Sequence, residues 1–324
     1  MIDFLLRLVR KKKDPAPLMP VVLGYDEQGS DIIADLAEAA HWAIQGRTRS
    51  GKTSTLYGVL YQAVKQGAVI GGIDPDGILF DPLEGYPRPD LRASGVSPAE
   101  NLEAMQSLIA EMEKRTKWLR KSHLDKIPLT EFPLVMAVFD EFPKTLASAE
   151  ADDKAAGRKP AERIQPQIFQ ALSRLIYESA KVGFRVVLVS QRADASIIGG
   201  AVRSNIGTLI CFGIDRQGVA MFWPHLDSDA QDQPANYRPG EALVSLPTSP
   251  EPIHAQMDYL AYGEYCRRIL RHATRDAGKT VESGRTWEKE KTPPASADNT
   301  PGDTKSSMVT RSNDKPSKDR RGDT

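Results

Sequence analysis

The sequence of 324 residues holds only two cysteines, Cys211 and Cys266. They lie far apart, outside any C-x-x-C pattern, which excludes a disulfide framework and a cysteine-based metal site as organising features. Cys211 falls in an apolar run and Cys266 in a helical pattern; both read as small buried hydrophobes in a reducing cytoplasm. An excess of charge of one sign is also missing. The 43 Lys+Arg and 43 Asp+Glu give a formal net charge of +0. A nucleic-acid partner would therefore have to be held by a local basic patch or by many subunits acting together. No run reaches the roughly 18–20 apolar residues of a spanning helix. No internal repeat is visible. The histidines (His41, His123, His225, His254 and His272) do not cluster at metal-ligand spacing.

What is present suits one large α/β unit with extensions, or two small domains: 40% of the residues are hydrophobic, enough for a sizeable core. In residues 1–13 (MIDFLLRLVRKKK), Ile2, Leu5, Leu6 and Val9 share a helical face ahead of the basic run Arg10–Lys13. The segment is too short for a signal peptide with a cleavage site. Two roles stay open for it: a terminal helix packed on its own domain, or peripheral contact with an anionic membrane surface or nucleic acid. Together with the proline-rich stretch 14–20, it sets residues 1–19 apart as a basic amphipathic segment and linker.

Val21–Leu23, a turn at Asp26–Ser30 and Asp31–Leu36 read as a β-hairpin. After it, apolar strands end or fall at Ile44, Ala68–Asp74, Leu134–Phe139, Phe184–Ser190 and Leu209–Ile214. Helical patterns at Ser54–Gln66, Pro98–Ser122 and Gln165–Val182 come between them. This alternation, with strands apolar on both faces, predicts a mostly parallel central sheet flanked by helices. Asp81–Ser97 is expected to be loop, and Ser148–Pro160 an exposed insertion. Residues 273–324 are poor in apolar side chains and are expected to be a disordered tail.

Gly46-Arg47-Thr48-Arg49-Ser50-Gly51-Lys52-Thr53 reads G-x-x-x-x-G-K-T, between a strand and a helix. This is the arrangement of a phosphate-binding loop. Its glycines let backbone N–H groups turn inward, and the helix start that follows, from Ser54, adds its positive end. Lys52 is expected to reach the β- and γ-phosphates of ATP and the Thr53 hydroxyl to ligate Mg2+. The second signal is the acidic pair Asp140-Glu141, at the tip of the apolar run LVMAVF. Asp140 is expected at the Mg2+ and Glu141 as general base for the attacking water. Gln191 follows another buried strand, at the edge where ligands of such sheets bind. It is expected to sense the γ-phosphate or the lytic water. Arg192 beside it could contact phosphate, a neighbouring subunit or DNA. Asp74 ends a strand on the same edge and is expected to cap a loop.

Four segments together resemble the FtsK/SpoIIIE family of DNA translocases. They are the stretch from Val21 through the phosphate loop, VMAVFDEF, the run SAKVGFRVVLVSQRADASIIGGAVRSNIGTLICFGI, and Arg238-Pro-Gly-Glu-Ala-Leu243. The resemblance covers about residues 20–250. It implies a RecA-like P-loop ATPase domain over 20–272 that assembles as a ring, a hexamer in this family, around double-stranded DNA and moves it by ATP hydrolysis at subunit boundaries. Departures accompany it. Leu209 stands where the family often has arginine, so the arginine supplied across the ring is expected from Arg203, Arg216 or Arg192. Asp76 stands where a lysine is usual. With neither a membrane-spanning region nor a winged-helix module apparent, the sequence is most similar to the stand-alone transfer proteins of actinobacterial plasmids and integrated elements. Candidate DNA-facing groups are Lys114, Arg115, Lys117, Arg120 and Lys121, and a second cluster at Arg267, Arg268 and Arg271. The rival readings are a coupling or secretion ATPase acting on a protein substrate, and a slow ATP-dependent switch.

Overall fold

The computed structural model describes residues 19–37, 41–191 and 200–282. Residues 1–13, the expected amphipathic segment, and 283–324 lie outside the described residues, as does Arg192. Ten strands form one sheet: β1 Pro20–Asp26, β2 Asp31–Asp35, β3 His41–Gln45, β4 Val69–Asp74, β5 Arg92–Ser94, β6 Val135–Asp140, β7 Phe184–Ser190, β8 Ile206–Phe212, β9 Glu241–Leu246 and β10 Ser249–Met257. Their order is β2-β1-β10-β9-β8-β3-β7-β6-β4-β5. The five pairings from β8 to β5 are parallel, and the four from β2 to β8 are antiparallel. The expected hairpin is thus the edge of the same sheet, joined to it through β10.

The main helices are α1 Lys52–Lys65, α2 Pro98–Ser122, α3 Phe142–Ala155, α4 Ile164–Glu178 and α5 Tyr262–Glu282. The side-chain alternation of the parallel strands builds two cores, one on each face. Met136 and Val138 of β6 pack with Leu56 and Leu60 of α1 and Tyr265 and Ile269 of α5. Ala137 and Phe139 face the other way, onto Met105, Leu108 and Met112 of α2 and Ile168, Leu172 and Leu175 of α4. Helix α2 starts at Ser97, whose side chain accepts from the Glu100 amide, with Pro98 in the first turn, and stops at His123 in the left-handed conformation.

Four sequence expectations change. Asp81–Ser97 is not all loop, because Arg92–Ser94 pairs in parallel with β4. This strand has no apolar pattern of its own. It is held by pairing and by the Arg92 guanidinium, which donates to the carbonyls of Ile70, Leu83, Tyr86 and Pro87. Ser148–Pro160 is not an exposed insertion: its first part is the end of α3, with Ala149 and Asp153 buried. Asp153 accepts from the amides of Ile164 and Gln165 and so caps α4 from eleven and twelve residues upstream, where a local cap is missing. Helix α5 runs to Glu282, past the tail boundary expected at 273.

The fourth change concerns Arg115, which is buried and not an outward DNA-facing group. It donates to Glu111 at 2.8 Å and to the Pro133 carbonyl at 2.9 Å, and lies 5.2 Å from the Phe184 ring centroid. Removing one partner of such a buried pair strands the other charge. Arg115→Ala is therefore expected to cost about 3 kcal/mol of stability, whereas exposed Lys117→Ala should change it by less than about 0.5 kcal/mol. Urea unfolding of the two variants measures both.

Candidate nucleotide site

The parallel order β3-β7-β6-β4 brings four strand ends to one edge. The phosphate loop leaves β3, Gln191 follows β7, Asp140-Glu141 ends β6 and Asp74 ends β4. Lys52 and Asp140 are therefore on the same side of the sheet. The loop is pinned by its amides: Gly46 donates to the Ser190 carbonyl at 3.2 Å and Arg47 to the Gly213 carbonyl at 3.3 Å. Gly46 and Gly51 hold φ of 149° and 118°, and a Cβ on Gly46 would lie 2.6 Å from the Phe212 Cβ. Only glycine fits there. Arg49 takes the left-handed conformation at φ 64°.

A cavity of about 240 Å3 is lined by Arg49, Ser50, Gly51, Lys52, Thr53 and Ser54. The first bond from this turn back into the helix is that of the Thr55 amide to the Gly51 carbonyl. The amides of the preceding first-turn residues point out of the helix start, as the geometry of any α-helix requires. Ser50 Oγ is buried in this loop with no hydrogen-bond partner among the described residues. Lys52 Nζ donates to the Gly46 carbonyl at 2.6 Å and to that of Arg47 at 3.2 Å. The Thr53 side chain is exposed. Two of the nine expected loop residues contribute differently. The Arg47 guanidinium donates to the Tyr237 carbonyl at 2.8 Å, and Ser54 Oγ donates to the Leu260 carbonyl at 3.0 Å. Their side chains brace the loop; of the two, only Ser54 lines the cavity. Thr48 Oγ1 donates to Gln191 Oε1 at 3.0 Å.

Across from the loop stand the acids. Glu141 is left-handed at φ 42°, a conformation that costs a non-glycine residue about 1 kcal/mol. It hydrogen-bonds Gln191 through both the side chain and the backbone amide of that residue. Burial raises the Glu141 carboxyl above its ordinary range, and Lys52 and Gln191 oppose the shift. Asp140 is pushed up to about 7, by burial first and then by the negative charges of Asp74 and Glu141. Burial lowers Lys52, against the pull of Glu141 and Asp140. Asp74 is raised by burial but accepts from the amides of Asp76, Leu79 and Phe80. It caps its loop, as expected.

An acidic cluster that Lys52 only partly offsets, an orphaned buried hydroxyl and a glycine cradle fit a triphosphate with a divalent cation. One feature of the site was not legible in the sequence. Lys144, in the first turn of α3, forms an ion pair with Asp76. Asp76 was visible as a departure, but nothing in the spacing marks its partner 68 residues on. Of the arginines considered for transfer across a ring, Arg203 donates to the Met221 carbonyl, and Arg216 pairs with Ser228 and Asp232.

The sequence matches the FtsK/SpoIIIE family over residues 6–176. The chain belongs to the FtsK/SpoIIIE family. It is 24% identical over 285 residues to DNA translocase FtsK 1 of Neisseria meningitidis serogroup B (strain MC58), a match covering 76% of this chain and 32% of that protein. To DNA translocase FtsK of Treponema pallidum it is 26% identical over 274 residues, covering 78% and 31%. The chain thus spans about a third of the length of these curated relatives. Among solved structures it is similar to the pCW3 conjugation coupling protein TcpA, a monomer form with ATPgS. There the TM-score is 0.61 at 22% identity, with 81% of this chain and 72% of that one covered. It is also similar to EssC (ATPases 2 and 3) of Geobacillus thermodenitrificans, with TM-score 0.59 at 18% identity over 83% of this chain and 50% of that one. By family and fold this FtsK/SpoIIIE member has the fold of the P-loop ATPases. Among the described residues no helix is long and apolar enough to cross a membrane.

The raised Asp140 sets a pH dependence. In the unfolded chain this carboxyl loses its proton near its ordinary 3.8, whereas the folded protein keeps it to about 7. Between those values the native state binds more protons, so this group's contribution to stability falls as pH rises. In the metal- and nucleotide-free protein, Asp140→Asn should therefore gain Tm relative to the parent as pH goes from about 4 to about 7. Melting both proteins across that range checks it; a difference independent of pH contradicts the assignment.

Proposed function

We propose that the chain is an ATP-driven translocase of double-stranded DNA that works as a ring of identical subunits, a hexamer, in conjugative or mobile-element transfer. Residues 20–272 would form the motor, acting in the cytoplasm. The observation that carries the reading is the convergence of the phosphate loop, Asp140-Glu141 and Gln191 on one sheet edge, in a member of a family whose curated relatives are named DNA translocases.

In this reading the backbone of Gly46 to Ser54 cradles the phosphates. Ser50 and Lys52 bind the β/γ end, and the two carbonyls now holding Lys52 release it to the ligand. Thr53 and Asp140 hold Mg2+, which when bound supplies Lewis-acid charge on the phosphoryl oxygens. Glu141 takes the proton of the attacking water. Gln191 already bonds both Thr48 and Glu141. It is thus placed to report occupancy of the loop to the acidic side.

A second reading, a coupling ATPase acting on a protein, is favoured by the charge distribution. Arg115 is internal, and Arg267 and Arg268 both pair with Glu264. Fewer cations are thus free for phosphate than the sequence suggests. Lys114, Lys117, Arg120 and Lys121 remain on the exposed side of α2.

Lys52→Ala should lower ATP hydrolysis about 100-fold or more. Glu141→Gln should retain ATP and lower kcat alone. Steady-state hydrolysis with equilibrium nucleotide binding separates the two, and normal turnover in either variant contradicts the site. Plasmid-length duplex DNA should stimulate the ATPase of the parent protein, with a stimulation that falls steeply and log-linearly with salt. Rings should appear on the same DNA in negative stain. Stimulation by a protein partner with none by DNA would replace this function with the second reading.

A further inference from the structure

On the side away from the acids, the segments that lead into β9 and out of β10 brace the phosphate loop and the start of α1. The Gly240 amide donates to the Ser50 carbonyl, and the Met257 amide to the Gly240 carbonyl, both at 2.8 Å. Two bonds then tie Leu260 to the residue after Thr53: Ser54 Oγ accepts from the Leu260 amide at 2.7 Å and donates to its carbonyl at 3.0 Å. On the other side, the Asp258 amide donates to the Leu23 carbonyl at 2.9 Å. Tyr259 lies between these anchors, so its backbone is fixed beside the first turn of α1. Its side chain is nonetheless 82% exposed, more than any other large hydrophobic side chain among the described residues.

The nearby tyrosines differ. Tyr262 donates to Asp81 at 3.0 Å and its ring lies 5.7 Å from that of Tyr57. Tyr265 is buried, stacks on Tyr57 at 4.6 Å and donates to the Leu79 carbonyl. Tyr259 has neither a ring partner nor a side-chain hydrogen bond among the described residues. A large aromatic held on a pinned backbone and left in water is a cost to the free protein that a ligand could recover.

The sheet order says which part of a ligand would reach it. From β3, the carboxylates lie toward β7 and β6, whereas Gly240 and Leu260 lie toward β8, β9 and β10. A nucleoside triphosphate in the cradle, with its terminal phosphate at Lys52 and the acids, would leave over Thr53 and Ser54 on the Tyr259 side. We propose that Tyr259 is the platform on which the base of the bound nucleotide stacks. The proposal rests on the nucleotide site described above and adds a base-selecting residue to it. Stacking on one ring favours the larger π face, so the site selects purine over pyrimidine nucleotides.

The test is equilibrium binding to the full chain of AMPPNP, UTP and inorganic tripolyphosphate. Tyr259→Ala should weaken AMPPNP about tenfold, the loss of one stacking face. UTP should weaken less, and tripolyphosphate, which has no base, should not change. Tyr259→Trp should restore the purine preference. Unchanged AMPPNP affinity in Tyr259→Ala overturns the proposal. So does an equal loss for all three ligands, which would mean a damaged loop. So does a shift of the sedimentation coefficient with intact nucleotide affinity, which would place Tyr259 against a second copy. Lys52→Ala is the control: if it too binds AMPPNP normally, the nucleotide site itself is refuted and the platform falls with it.

Discussion

Lys52 and the Asp140-Glu141 pair are each destabilised in their charged forms by the same loss of water. Burial pushes the ammonium's pKa down and the carboxyls' pKa values up, and each charge partly relieves the other. In the free protein the lysine also leans on two loop carbonyls, and Glu141 is held in a left-handed turn beside Gln191. None of these groups is comfortable alone. Such a balance requires that residues 88 and 89 positions apart in sequence meet at one edge of the sheet. That in turn requires parallel strands whose carboxyl ends share an edge. The crossover from β3 through α1 to β4 leaves room for β6 and β7 between them. The acids and the glutamine therefore face the loop directly.

Both at the loop and at the far end of the sheet, several guanidinium groups are used on the chain's own backbone. Arg47 ties the phosphate loop to residues 235 and 237. Arg92 gathers four carbonyls at the β5 edge. Arg185 does the same for Leu36, Ala37, Ala180 and Phe184. A planar donor fork suits irregular loops, whose carbonyls have no ladder to join. In a chain with no net charge, each arginine used inside is one fewer outside. On α2 the exposed basic groups are Lys114, Lys117, Arg120 and Lys121, all in its second half, away from its start beside β5.

Family membership and fold agree with the site, but the chain matches only about a third of the relatives' length. Among the described residues the candidate site has two supporting walls. One wall carries the acids, on β4, β6 and α3. The other is the antiparallel extension, which encloses the loop through Gly240 and Leu260. The site is therefore asymmetric along the sheet, with charge on one flank and an uncovered aromatic on the other.

The phosphate loop, the helix after it, the DE-tipped strand and the N-terminal hairpin were legible because each is a local pattern. Glycine spacing, apolar periodicity and turn residues act over fewer than about a dozen neighbours. The segment 81–97 hid β5, whose three residues gain strand geometry only by pairing with β4. The cap of α4 was hidden because Asp153 reaches it through space. Arg115 reads as one basic residue of a helix face until the fold turns it inward against Glu111. The Asp76–Lys144 pair and the exposure of Tyr259 belong to the same class. In this protein the sequence by itself determined which groups could handle a phosphate. Burial, pairing and strand order, which depend on residues distant in the chain, decided which of them meet and which side chains are left facing water.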